Sequence, residues 1–143
     1  MTSTTSLAAA LPALQPDDPG ARLLLFGVRQ MGAHGLYDAC AAQAFLMAFG
    51  REFRRPLMLL RALMSDMSSA AEGPIQIAPW CCPRMTGAEA TLLAVLGRAA
   101  GNPETAHMLL ADLLGKRDAG GVLATAHALA GAFADLGLPL GGD

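Results

Sequence analysis

The chain repeatedly sets apolar residues three and four positions apart, then stops each run with glycine or proline. FRRPLMLLRALMSDMSSA shows the pattern best. Leu57, Leu60, Met64 and Met67 fall on one helical face. Pro56 suits the first turn, where its missing N–H costs nothing. The spacing returns at Leu92, Val95, Leu96 and Ala99, at Ala106, Leu109, Leu110 and Leu113, and at Val122, Ala126, Leu129, Phe133 and Leu136. Start signals precede these runs. Thr86 and Glu89 form a capping box. Asn102 is a cap, Pro103 a first-turn proline and Glu104 a partner for the helix dipole. Asp118 can cap the last run, and Gly50, Gly115 and Gly137 mark stops. Strand-like alternation appears only in PIQIAP, residues 74–79, which is too short to build a sheet alone. The sequence therefore predicts an all-α protein, an up-and-down bundle of five to six helices. Two helix pairs, over residues 21–70 and 86–137, are joined by a rigid Pro/Cys-rich link.

Residues 1–20 are rich in Ser, Thr, Ala and Pro and read as a flexible N-terminal tail. Residues 21–143 then form a single helical domain, as suits a chain of 143 residues. Helix-favouring residues run from Ala21 to Phe49, with a bend or break expected at QMGAHG, where Gly32 and Gly35 flank His34. The segment LYDACAAQAFLMAF is apolar or small on nearly every side and predicts a central helix.

Apolar residues make up 53% of the chain and charged residues only 15%, against about 25% in ordinary soluble domains. There are too few charges to coat every helix, so either much apolar surface is exposed or a partner covers some of it. The simplest partner is a second copy, in a homodimer. A net charge of −2 gives no bulk attraction to nucleic acid or acidic lipid. No uncharged apolar stretch reaches the roughly 18 residues of a membrane span. No Lys or Arg precedes the apolar run LAAALPAL, so no secretory signal is expected. Three cysteines, an odd count, do not make a disulfide framework and point to reduced thiols in the cytoplasm.

The unusual residues concentrate in PWCCPRMTGAE, residues 79–89. Cys81 and Cys82 are soft ligands that could serve a transition metal or a redox reaction. Adjacent side chains in an extended link point apart, however, and make a poor chelate. The plain alternative has one thiol packing inward and Trp80 anchoring the link on the bundle. His34 and Asp38, four apart, would share a face of a continuing helix and could complete a metal or catalytic site. Arg51, Arg54, Arg55 and Arg61 form a basic cluster suited to an anion or an acidic partner segment, with Trp80 as a possible contact surface. Glu104 and His107 have di-iron spacing, but a second copy of the motif is missing. No P-loop, nucleophile elbow or dinucleotide fingerprint is present, and the reading leans away from an enzyme.

The segments FRRPLMLLRALMSDMS, IAPWCCPRMTGAEATLL and AFADLGLPL together resemble a family of short alphaproteobacterial helical proteins built on a domain of unknown function. The resemblance covers about residues 21–140. It implies a bacterial cytosolic helical protein, and it brings no activity, cofactor or catalytic residue. The expected function is that of a protein-interaction or regulatory module acting as a homo-oligomer. The alternative is a metal- or thiol-dependent site built from Cys81, Cys82, His34 and Asp38.

Overall fold

The computed structural model describes residues 13–140. Six α-helices make up most of these residues: α1 Pro19–His34, α2 Ala39–Phe49, α3 Arg54–Ala70, α4 Gly87–Arg98, α5 Pro103–Leu114 and α6 Gly120–Asp135. A 3-10 turn, Gly50–Glu52, joins α2 to α3. Two short strands, β1 Ala13–Leu14 and β2 Arg84–Met85, pair antiparallel, with Ala13 opposite Met85 and Leu14 opposite Arg84. The molecule is an all-α bundle.

Local chemistry sets the helix ends. Asp18, Asp38 and Asn102 each accept a backbone N–H three residues on and so start α1, α2 and α5. The capping box of Thr86 and Glu89 is formed in both directions. Gly115 ends α5 in the left-handed conformation, at φ 73°. Asp118 does not occupy the cap position of α6, which falls to Ala119; its carboxylate instead accepts from the N–H of Gly120.

Neighbours in sequence pack together, α1 with α2 and α4 with α5, yet α3 packs most extensively on α6. The two halves are thus interlocked across the bundle rather than merely joined by the link. Leu24, Leu60, Leu63, Leu110 and Leu129 lie fully inside, each worth about 1.5–3 kcal/mol of transfer free energy. Phe45, Phe49 and Phe133 form an edge-to-face cluster with ring centroids 5.1–5.9 Å apart, tying α2 to α6.

Two expectations change. Residues 1–12 of the expected tail lie outside the described residues, but residues 13–20 are built into the fold. Gln15 hydrogen-bonds the link, Asp18 caps α1 and Gly20 is buried. Polarity misled here, because these polar groups serve the backbone of a neighbouring segment. The second change concerns α2. Only Ala41 and Phe45 of its eleven residues are buried, so it lies at the edge of the bundle and not at its centre.

Gly27 lets α1 approach closely. A Cβ there would stand 2.7 Å from Leu60 Cδ2 and 3.1 Å from Phe45 Cε1. Gly131, within α6, has open space around the same position. Gly27→Ala should therefore destabilise the fold by about 1–3 kcal/mol through overpacking. Gly131→Ala should stabilise it by about 0.5–1 kcal/mol through reduced backbone entropy. Urea denaturation of the two variants checks the opposite signs.

Candidate functional site

The segment between α3 and α4 carries prolines at 74, 79 and 83, so it has more carbonyls than N–H groups. Such a strap needs a donor that is not also an acceptor. Arg29 supplies one, since a guanidinium has five N–H donors and no acceptor. It projects from the middle of α1, fully buried. Nη1 donates to Cys82 O at 2.8 Å and, at 3.5 Å, to Trp80 O. Nη2 donates to Arg84 O at 2.9 Å and Glu89 Oε1 at 3.0 Å, and Nε donates to Glu89 Oε2 at 2.9 Å.

Glu89 completes the clasp from the first turn of α4. Beyond Arg29, its Oε1 accepts from the N–H of Thr86 at 2.9 Å and its Oε2 from the N–H of Ala78 at 3.0 Å. The side chains of Arg29 and Glu89 are 1% and 0% exposed. A buried ion pair is tolerable only when its remaining hydrogen-bonding capacity is filled, and here every such site is used. Gln15 adds its amide to Cys82 O and its backbone N–H to Pro83 O. Thr86 Oγ1 donates to Gln76 O. The strap is held largely through its main chain, with Ile75, Ile77, Ala78 and Met85 packed inward, which leaves Trp80 and Cys81 free to face outward.

That explains the position of Trp80. It does not anchor the strap; the residue is 63% exposed. Cys81 is exposed and Cys82 half-buried, so neither thiol is locked in the core. Depressions open on both sides of Trp80. One, of about 470 Å³, lies among Gln15, Arg22, Phe26, Arg29, Trp80 and Cys81. The other, of about 570 Å³ and more open, lies among Phe26, Gln30, His34, Asp38, Cys40 and Trp80. Phe26 and Trp80 line both.

The structure brings His34, Asp38 and Trp80 onto the more open depression and adds Cys40, which sequence spacing did not single out. It does not join them to both link thiols. The helix breaks at Gly35, and Asp38 is turned to its own task of capping α2 through Ala41 N at 2.9 Å. Among the described residues, no three His, Cys, Asp or Glu side chains gather closely enough to hold a metal ion. The ligand set Cys81, Cys82, His34 and Asp38 is therefore not assembled. The physical reason is the helix break, which leaves the Asp38 carboxylate engaged as the cap of α2.

The arginine cluster also separates. Arg55 pairs with Asp135 on α6 at 3.0 Å. Arg61 donates to Leu36 O and lies over the ring of Tyr37, 4.6 Å from its centroid. Arg54 lies over Phe53, and Arg51 is exposed. Three of the four are thus drawn to different neighbours. At the far end of the bundle, Asp118 is held below its ordinary value of 3.8 by the N–H of Gly120 and by His107. The stabilisation this provides is present above 3.8 and is lost as the pH falls through the lowered value. No helix among the described residues is long and apolar enough to cross a membrane.

Arg29→Met strands a buried carboxylate and should cost about 3–5 kcal/mol in urea denaturation. Adding Glu89→Leu should recover part of that loss. The double variant still leaves the strap carbonyls without their donor, so labelling of Cys82 by a thiol reagent should stay faster than in the parent protein. Equal labelling rates would show that the strap is held by something else.

The model of a family of unknown function, DUF6628, matches residues 2–139. No curated protein and no solved structure matches the chain significantly. Over nearly its whole length, then, this bundle with its clasped strap belongs to the family of unknown function DUF6628.

Proposed function

We propose that the protein is an interaction module that self-associates as a homodimer through the outer face of α2. One observation carries this reading. α2 has eleven residues and not one charge, and only two of them are buried. Leu46 and Met47 are 42% and 77% exposed, and Ala39, Cys40 and Ala48 are exposed beside them. Gln43 is its one polar side chain, and a helix otherwise apolar all round belongs inside a protein or against a partner. Large exposed apolar side chains at the edge of a fold mark interaction surfaces.

A second copy fits for a chemical reason. A face with no charge offers nothing to an acidic or basic partner, while it is self-complementary by default. A two-fold contact then places the same patch on both subunits. The alanines permit close approach of two such helices, and the few exposed side chains supply the anchors. Cys40 lies on this face, so a reducing compartment such as the cytoplasm suits the reading, because oxidation of its thiol would place a polar group there.

Size-exclusion chromatography with light scattering tests it. The parent chain should run as a dimer, and Met47→Glu should weaken the dimer by about ten-fold or more, since a charge is then desolvated at the contact. Met58→Glu makes the same change at a residue 62% exposed on α3 and should leave the dimer intact. A parent chain that stays monomeric at high concentration would overturn the proposal.

A further inference from the structure

We infer that His107 is a pH-sensitive latch on the start of α6: it holds the N–H of Ala119 while its ring is neutral and exchanges that bond for one to Asp118 when the ring is protonated. Two observations carry it, and neither depends on self-association through α2.

The first is a shared atom. His107 Nε2 lies 3.0 Å from Ala119 N and 3.3 Å from Asp118 Oδ1. A backbone N–H needs a lone pair opposite it, whereas a carboxylate needs a proton. One ring nitrogen cannot supply both, so the two contacts belong to different protonation states. In the neutral ring Nε2 accepts from Ala119 and the proton sits on Nδ1. That nitrogen has no protein partner among the described residues, and the side chain is 34% exposed, so water receives its proton. Asp118 Oδ1 meanwhile accepts from the N–H of Gly120 at 2.9 Å, and its side chain is 89% exposed, so water screens it from the ring's lone pair. In the protonated ring Nε2 donates to Asp118, and the N–H of Ala119 is left without its acceptor.

The second is the weakness of the start that the latch serves. Ala119 holds the cap position of α6 and has no side-chain oxygen to cap with. Gly120 and Gly121 follow, the residue type that loses most backbone freedom in a helix. The N–H groups of Ala119 and Gly120 are met instead by His107 and Asp118. Ala119 and Val122 are only 4% and 8% exposed, so this turn also closes over the core. Releasing the Ala119 N–H therefore loosens a turn that covers apolar side chains.

The charges around the ring are few. α5 itself carries Glu104 one turn earlier and Asp112. The turn to α6 adds Arg117 and Lys116, the latter paired with Glu72 of the strap. α4 carries Arg98 and Glu89, which Arg29 holds, and α6 carries His127 and Asp135, which pairs with Arg55. Of all these and Asp118, only Asp118 bonds or pairs with the ring.

Nuclear magnetic resonance of the isotope-labelled full chain reads the latch directly. At about pH 8 His107 Nε2 should carry no proton and should show a coupling across the hydrogen bond to Ala119 N. At about pH 5 Nε2 should be protonated, the coupling should vanish, and the exchange protection of the Ala119 amide should fall by about five-fold or more. His107→Gln offers an acceptor and nothing to titrate, so the Ala119 amide should no longer respond to pH over this range. Asp118→Asn keeps an oxygen for Gly120 and removes the carboxylate, so the coupling should survive to lower pH than in the parent. Unchanged circular dichroism verifies that both variants keep the fold. A parent ring already protonated on Nε2 at about pH 8, or an Ala119 amide indifferent to pH, would overturn the inference.

Discussion

The Arg29–Glu89 pair is the contact on which the remaining architecture depends. It joins the middle of α1 to the start of α4, and it gathers the strap between them by its carbonyls. Two charges removed from water are costly, and they remain only because every donor and acceptor is filled. Prolines in the strap create the need for such a donor, since each removes an N–H and leaves a carbonyl. Arg29, Gln15 and the Thr86 hydroxyl answer that need from three sides. Ordinary apolar packing does the bulk of the stabilisation, but it is non-directional. The ion pair is what places one irregular segment in one position.

Holding a segment by its main chain has an effect on its side chains. Trp80 and Cys81 are not required to pack inward, so they stand at the surface on a rigid support. The exposed apolar surface of the molecule is thereby set beside a firm wall. A mobile loop bearing the same residues would lose side-chain and backbone entropy on every contact. The rigid strap has already met that cost during folding.

Much of the fold was legible in the sequence because its cues are local. The capping box at Thr86, the Asn102–Pro103 start and the glycine stops each act within four residues, and the structure places them as read. The clasp was not legible by the same means, because it spans sixty positions and its two members serve different local roles. Glu89 looked fully employed by the cap. A signal was nonetheless present: Arg29 and Glu89 both sit on the apolar faces of their helices, with Leu25 and Val28 near one and Leu92 near the other. Two opposite charges in buried registers call for each other. The misplacement of α2 has another origin. Uniform apolarity says that a helix must be covered and does not say by what, so a central helix and an edge helix awaiting a second chain share one pattern.

Gly20, near the start of α1, lies against the backbone carbonyls of Leu138 and Pro139, so close that a methyl group there would stand 2.6 Å from Leu138 O. The outset and the finish of the bundle therefore meet at a single point on its perimeter. A side chain at that place would push the closing segment off the opening helix, so the bare α-carbon is what lets the two backbones touch.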